Sequence, residues 1–222
     1  YLDHNATTPL TRSARAAMLA AMDLRGNPSS VHRFGREARA VMEEARREVA
    51  RLVGAEPAQV VFTSGATEAN VAVLAGAAVA RRLVTAVEHD SILGWPGVEP
   101  VPVDARGVVD LEALDALLRA GEGPALVAVM AANNETGVVQ PVEAAAAIAR
   151  RHGALILVDA VQAAGKFPVD MAAWDVDVLT LSAHKLGGPK GVGALVVRDG
   201  VTLRPLVTGG GQERRRRAGT EN

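Results

Sequence analysis

Only three lysines, Lys166, Lys185 and Lys190, occur in a chain of 222 residues that carries 24 basic side chains. Lys185 follows the strand-length segment Val176 to Leu181 and precedes Leu186-Gly187-Gly188-Pro189-Lys190-Gly191. A lysine held at a partly desolvated strand end loses its proton more easily and can form an imine with an aldehyde. The alternative is a solvated loop lysine. Ser182 and His184 lie within three residues of it and offer two hydrogen-bond donors, and the glycines let backbone approach a ligand. Lys166 precedes Phe167-Pro168, away from a strand end, and Lys190 follows a proline in the glycine loop and reads as structural, so neither is expected to carry the cofactor. Asp159 comes directly after Leu155-Ile156-Leu157-Val158. A carboxylate there is costly unless paired. It serves either as a helix N-cap or as the partner of a protonated ring nitrogen.

The run Ser64-Gly65-Ala66-Thr67-Glu68 reads as a loop entering a helix N-terminus. Free N–H groups and the helix dipole bind phosphate there, and Thr67 adds a hydroxyl. Capping by Ser64 or Thr67 is compatible with that reading. The chain has no Walker G-x-x-x-x-G-K-[ST] loop and no G-x-G-x-x-G, which removes the main sequence support for a nicotinamide site. Gln162 can reach a ring oxygen or Asp159 itself. His89 can stack on a planar ring or shuttle a proton, or be a structural loop histidine. Asn134 can donate to a ring oxygen or belong to a turn over Asn133-Asn134-Glu135. One cofactor requires a lysine, a carboxylate, a phosphate cup, a stacking group and a ring-oxygen donor together: pyridoxal 5′-phosphate.

These residues need elements to bring them together. Apolar runs of strand length at 60–63, 83–87, 125–130, 155–158, 176–181 and 194–197 alternate with helical patterns. Helices are expected over 33–53, from about Thr67, and over 111–120 and 142–151. The first carries Phe34, Ala38, Val41, Met42, Ala45, Val49 and Leu52 on one stripe and ends at Gly54 as a C-cap. Apolar strands between helices predict an α/β fold with a mostly parallel sheet and helices on both faces. Ligands then sit beyond the carboxyl ends of the strands. Five such ends carry Thr63-Ser64, Glu88-His89, Asn133-Asn134, Asp159 and Ser182 to Lys185, which predicts one site at one sheet edge. The composition fits a globular protein: 49% hydrophobic, 22% charged and 3% aromatic, so the core is Ala, Val and Leu. The balance of 24 basic against 25 acidic residues gives a net charge of −1 and no call for nucleic acid or an acidic membrane. Zero cysteines remove disulfides, Cys-ligated zinc, iron–sulfur ligation and a thiol nucleophile from these residues. No apolar run approaches the roughly 20 residues of a membrane span. No secretory signal is read at Tyr1 to His4, and the expectation is a cytoplasmic protein without a metal site.

The motifs together resemble the cysteine desulfurases, the class V aminotransferase branch of the pyridoxal-phosphate enzymes of fold type I. The resemblance rests on Tyr1 to Pro9, Gly26 to Ser30, His32 to Gly35, Phe62 to Glu68, Glu88-His89, Asn133 to Gln140, Val158 to Gln162, Ser182 to Gly191, Gly209 to Arg214 and Ala218 to Thr220. It implies the large domain of that fold around a seven-stranded-type sheet, with residues 1–15 as an N-terminal segment and 16–222 as a cofactor-binding domain. That domain would be incomplete at its C-terminal end, and the family's small C-terminal domain absent. Lys185 would carry the cofactor and Asp159 would pair with the pyridine nitrogen. Gln162 and Asn134 would contact the ring oxygen or the substrate, and His89 would stack on the ring. Ala66, Thr67, Ser182 and His184 would bind phosphate, and Thr220 would reach the phosphate of the neighbouring subunit in a homodimer. The implied reaction takes sulfur from L-cysteine, leaving L-alanine and an enzyme persulfide for a sulfur acceptor or an iron–sulfur scaffold protein.

Two departures stand out. The family's sulfur-accepting cysteine and its substrate-binding arginine have no counterpart here, and Asp90 stands where the family usually has a basic or neutral residue. A selenocysteine lyase, an aminotransferase or a catalytically silent cofactor-binding scaffold are the alternatives. The run Arg214 to Arg217 reads as a solvated or dimer-contact segment in preference to a nucleic-acid patch.

Overall fold

Seven strands form one sheet in the order β1-β7-β6-β5-β4-β2-β3. The computed structural model describes residues 1–222. In chain order the elements are α1 (Arg12–Met22), α2 (Arg33–Leu52), β1 (Val60–Thr63), α3 (Ala66–Gly76), β2 (Arg81–Thr85), α4 (Asp90–Leu93), β3 (Glu99–Val101), α5 (Leu111–Ala120), β4 (Ala125–Met130), α6 (Val142–Arg151), β5 (Leu155–Asp159), β6 (Val178–Ser182) and β7 (Gly193–Val197). Neighbouring strands pair in parallel from β3 to β6, and β7 runs antiparallel to both β6 and β1. The expected mostly parallel α/β architecture is what the chain forms.

The central strands are buried on both faces because their side chains alternate between two cores. Val127 and Val129 of β4, with Ile156 and Val158 of β5, face a layer that includes Ala50 and Val53 and residues of α5 and α6 such as Leu114 and Ala145. Leu126, Ala128 and Leu157 face the opposite layer, with Ala69, Val73 and Leu74 of α3. No helix is long and apolar enough to cross a membrane.

Several expectations shift. The buried face of α2 is Gly35, Ala38, Arg46 and Ala50, whereas Phe34, Val41 and Leu52 of the expected stripe are exposed. Small residues bring the helix close, and Arg46 passes underneath to reach Glu213. Gly54, at φ +61°, follows the C-cap Val53, and Ala55 N–H bonds the Ala50 carbonyl at 2.9 Å, so the helix closes in a Schellman turn. Strand β2 starts two residues earlier than its apolar run suggests: Arg81 pairs with Ala125 in register and its guanidinium binds Glu99. Strand β3 was not legible. It is an edge strand of three residues with Pro100 in its middle, tolerated because one side carries no ladder. Helix α1 was not expected either, and none of its residues is buried.

Candidate active site

The carboxyl ends of β1, β2, β4, β5 and β6 meet on one edge around an open cleft of about 900 Å³. Its walls include Ala66, Thr67, His89, Asn134, Asp159, Gln162, Ser182, His184 and Lys185. Nine of the ten expected cofactor-site residues are thus brought together. Thr220 is exposed and lies outside the cleft walls.

Asp159 is the last residue of β5 and 5% exposed. Its Oδ2 accepts from Asn70 Nδ2 at 3.0 Å and its Oδ1 from Val161 N–H at 3.0 Å. Burial raises its pKa, and the Asn70 bond, the Val161 amide, His89 and Lys185 pull the other way. It has no basic side chain in hydrogen-bond contact. The cleft therefore presents a buried carboxylate whose charge calls for a cationic partner. Asn70 escaped the sequence reading. It lies on α3, three residues after Thr67, is 1% exposed, and is held by Thr180 Oγ1 donating to its Oδ1 at 2.8 Å. The i, i+3 spacing from Thr67 was the available signal.

Helix α3 begins at Gly65 with no side-chain cap, so neither Ser64 nor Thr67 occupies its first-turn amides. Glu68 instead folds back to accept from Ser64 N–H at 2.8 Å and is clamped by Arg217 Nε at 2.9 Å. A Cβ on Gly193 would lie 2.6 Å from the Gly65 backbone, so only glycine at the start of β7 lets this loop rest against the sheet. The result is an uncapped helix N-terminus facing the cleft, suited to a phosphate.

Lys185 is half-buried, and its Nζ donates to the Asn5 carbonyl. Burial lowers its pKa, opposed by Asp159, Asp3 and Glu135. His184 is lowered by burial and then by Lys185 and Lys190. Its Nδ1 lies 3.1 Å from Thr7 Oγ1, and its carbonyl accepts from Thr8 N–H at 2.8 Å, which lays residues 1–11 along the cleft edge. His89 caps α4: Nδ1 accepts from Ser91 N–H at 3.0 Å, and the ring remains exposed. The turn at Asn133-Asn134 is built by Asn133, whose Oδ1 accepts from Glu135 and Thr136 N–H, both at 2.9 Å. Asn134 is left to line the cleft. Gln162 is buried and donates from Nε2 to the Asn5 carbonyl at 2.8 Å.

Lys166 lies outside the strands and outside the cleft walls. It comes to the back of the site, where its Nζ donates to Gln162 Oε1 and, at 3.4 Å, to Asn5 Oδ1. The arginine run divides: Arg214 and Arg215 are exposed, whereas Arg217 binds Glu68, and the preceding Glu213 pairs with buried Arg46 at 2.8 Å.

The family model "Aminotransferase class-V" matches residues 1–222. Cysteine desulfurase 2 of Trichormus variabilis is 46% identical over 237 aligned residues, covering all of this chain and 59% of its own length. The cysteine desulfurase of Cereibacter sphaeroides is 47% identical over all of this chain and 61% of its own. The X-ray structure of a NifS-like protein from Rickettsia africae superposes with a TM-score of 0.94 at 35% identity, over all of this chain and 64% of its own. The chain thus spans about 60% of the length of the curated relatives it matches. The cofactor of these relatives is pyridoxal 5′-phosphate, and the residues present fit it: a buried carboxyl group with no basic side chain bonded to it, an uncapped helix start and a lysine of lowered pKa share one cleft. The chain belongs to the aminotransferase class-V family of pyridoxal 5′-phosphate enzymes, and the curated relatives it matches at 42–47% identity are cysteine desulfurases.

Proposed function

We propose that these residues form the cofactor-binding part of an enzyme that takes sulfur from L-cysteine, releasing L-alanine. The observation that carries this reading is the joint placement of Lys185, buried Asp159 and the open start of α3 around one cleft. Lys185 would bind the cofactor aldehyde. Asp159 would hold the proton of the ring nitrogen between itself and the ring, oriented by Asn70. Ala66, Thr67, Ser182 and His184 would take the phosphate. The exposed His89 ring would lie on the cofactor face, and Asn134 and Gln162 would donate to the ring oxygen or the substrate. When bound, pyridoxal phosphate supplies an aldehyde for amine exchange and an electron-poor ring that accepts charge from the substrate carbon. Lys185 Nζ, with its pKa lowered by burial, is then the group suited to carry a proton to and from that carbon.

The sulfur-accepting thiolate would come from outside residues 1–222, since none of these residues is cysteine. A homodimer belongs to this reading, because Thr220 is exposed and free to reach a neighbouring subunit. A cytoplasmic location and a sulfur-acceptor or iron–sulfur scaffold partner complete it. The cysteine-free composition favours one second reading, a scaffold that binds the cofactor without turnover. Sulfide release from L-cysteine by the full-length protein, with a reductant present, separates the two. Release that disappears in Lys185→Ala supports the enzyme. Cofactor binding without any release, from L-cysteine or L-selenocysteine, sinks it.

A further inference from the structure

Asn5 ties together the loops that follow three different strands. Its carbonyl accepts from Gln162 Nε2 at 2.8 Å and from Lys185 Nζ, its Oδ1 accepts from Lys166 Nζ at 3.4 Å, and its Nδ2 donates to the Asn134 carbonyl at 3.1 Å. Lys166 stands behind Gln162, outside the cleft walls. An ammonium group only donates, so it takes the oxygen end of the Gln162 amide and turns the nitrogen end onto the Asn5 carbonyl. The Asn5 carbonyl selects the same orientation, since the flipped form would set two oxygens against each other; without Lys166 that single bond is all that holds the amide.

We propose that Lys166 is a positioning residue: by donating to Gln162 and Asn5 it fixes the Gln162 amide and pins the N-terminal strap, residues 1–11, where Lys185 rests. The consequence for Lys185 as cofactor lysine rests on the proposed function; the strap does not. Charge accompanies the geometry. The two ammonium groups share Asn5, and Lys166 is held below its ordinary pKa by burial and then by Lys185. Around Lys185 stand Asp159 from β5, Asp3 from the strap, Glu135 from the loop after β4 and His184 beside it. Removing the Lys166 charge from this set favours the charged form of Lys185.

The test uses the full-length protein without cofactor, as wild type, Lys166→Met and Lys166→Arg. Hydrogen exchange at the Thr7 and Thr8 amides reads the strap, and competitive acetylation of Lys185 against pH reads its titration. In Lys166→Met the two amides exchange about tenfold faster or more, and the Lys185 labelling midpoint moves to higher pH. Lys166→Arg, which still donates and stays charged, remains close to wild type in both. Unchanged strap exchange in Lys166→Met overturns the proposal, as does an equal loss in Lys166→Arg. Adding pyridoxal phosphate to the same wild-type sample asks the other question. If none attaches at Lys185 the proposed function fails, while the exchange result on the strap still decides the role of Lys166.

Discussion

Burial works against a charge on Asp159, and two donors, the Asn70 amide and the Val161 N–H, work for it. Asn70 Nδ2 binds its Oδ2 while Thr180 holds the other end of the amide, so the carboxylate is oriented by a side chain that is itself immobilised. In the complete enzyme Asp159→Asn keeps the shape but cannot stabilise a pyridinium. Turnover is expected to fall by ~100-fold or more, each factor of ten costing about 1.4 kcal/mol of transition-state stabilisation. Single-turnover kinetics check this, and near-normal rates would remove Asp159 from the chemistry. Asn70→Ala is expected to cost less, about tenfold in kcat/KM. It also carries a distinct sign: losing the bond that lowers the Asp159 pKa moves the acid limb of the pH profile upward. A profile that keeps its acid limb in Asn70→Ala would reduce Asn70 to packing.

Strand ends carry the site, and one of them stores a pH dependence. Glu88, just after β2, is 5% exposed; its Oε1 accepts from Thr85 Oγ1 and Met130 N–H, each at 2.5 Å, and its Oε2 has no partner. This ties the turn that presents His89 to the end of β4. Burial, reinforced by Asp159, pushes its pKa up to about 8. The folded protein then holds this proton in a window where the unfolded chain, with an ordinary glutamate, has released it. Stability falls as pH rises from about 4.5 to about 8, by up to ~1.4 kcal/mol per pH unit from this group. Glu88→Gln is expected to flatten that part of the dependence and to raise the urea midpoint at pH 8 more than at pH 5. Equal midpoint shifts at both pH values would contradict it. The elements themselves were largely readable, because short apolar runs such as Leu126 to Met130 and Leu155 to Val158, bounded by polar residues, have the length and pattern of strands buried on both faces. Polar strand ends marked the cleft. Asn70, Lys166 and the Glu88 tie were not readable, since each acts through a partner 42 to 161 positions away. Edge strand β3 and exposed α1 lack a periodic apolar signature strong enough to announce them.

Across the whole molecule, buried Arg46 joins α2 to both the β1 backbone and the C-terminal loop, donating to the Val60 carbonyl at 2.8 Å and to both oxygens of Glu213, which also accepts from Phe62 N–H at 2.9 Å. The glycine-rich stretch that leads to Thr220 is thereby anchored to the sheet edge beside the loop that enters α3. Meanwhile Met22, Val31, Phe34 and Val41 leave apolar surface exposed over α1 and α2, at 72%, 89%, 45% and 48%. Residues 1–222 produced alone are expected to hold pyridoxal phosphate, with the lysine, the carboxylate and the helix start all between positions 65 and 185. They are also expected to self-associate, eluting well above the 23.0 kDa of one chain. With L-cysteine they should form no protein-bound persulfide, because a persulfide needs a thiolate and no side chain here supplies one. Intact-mass spectrometry after incubation with L-cysteine and cofactor should find the protein free of added sulfur. Adding a separate thiol-bearing acceptor then distinguishes the two readings: sulfur on the acceptor means these residues activate the substrate, and none means they bind cofactor only. A stable sulfane sulfur on the 222-residue chain itself would overturn the assignment of the sulfur-accepting group to a thiol outside it.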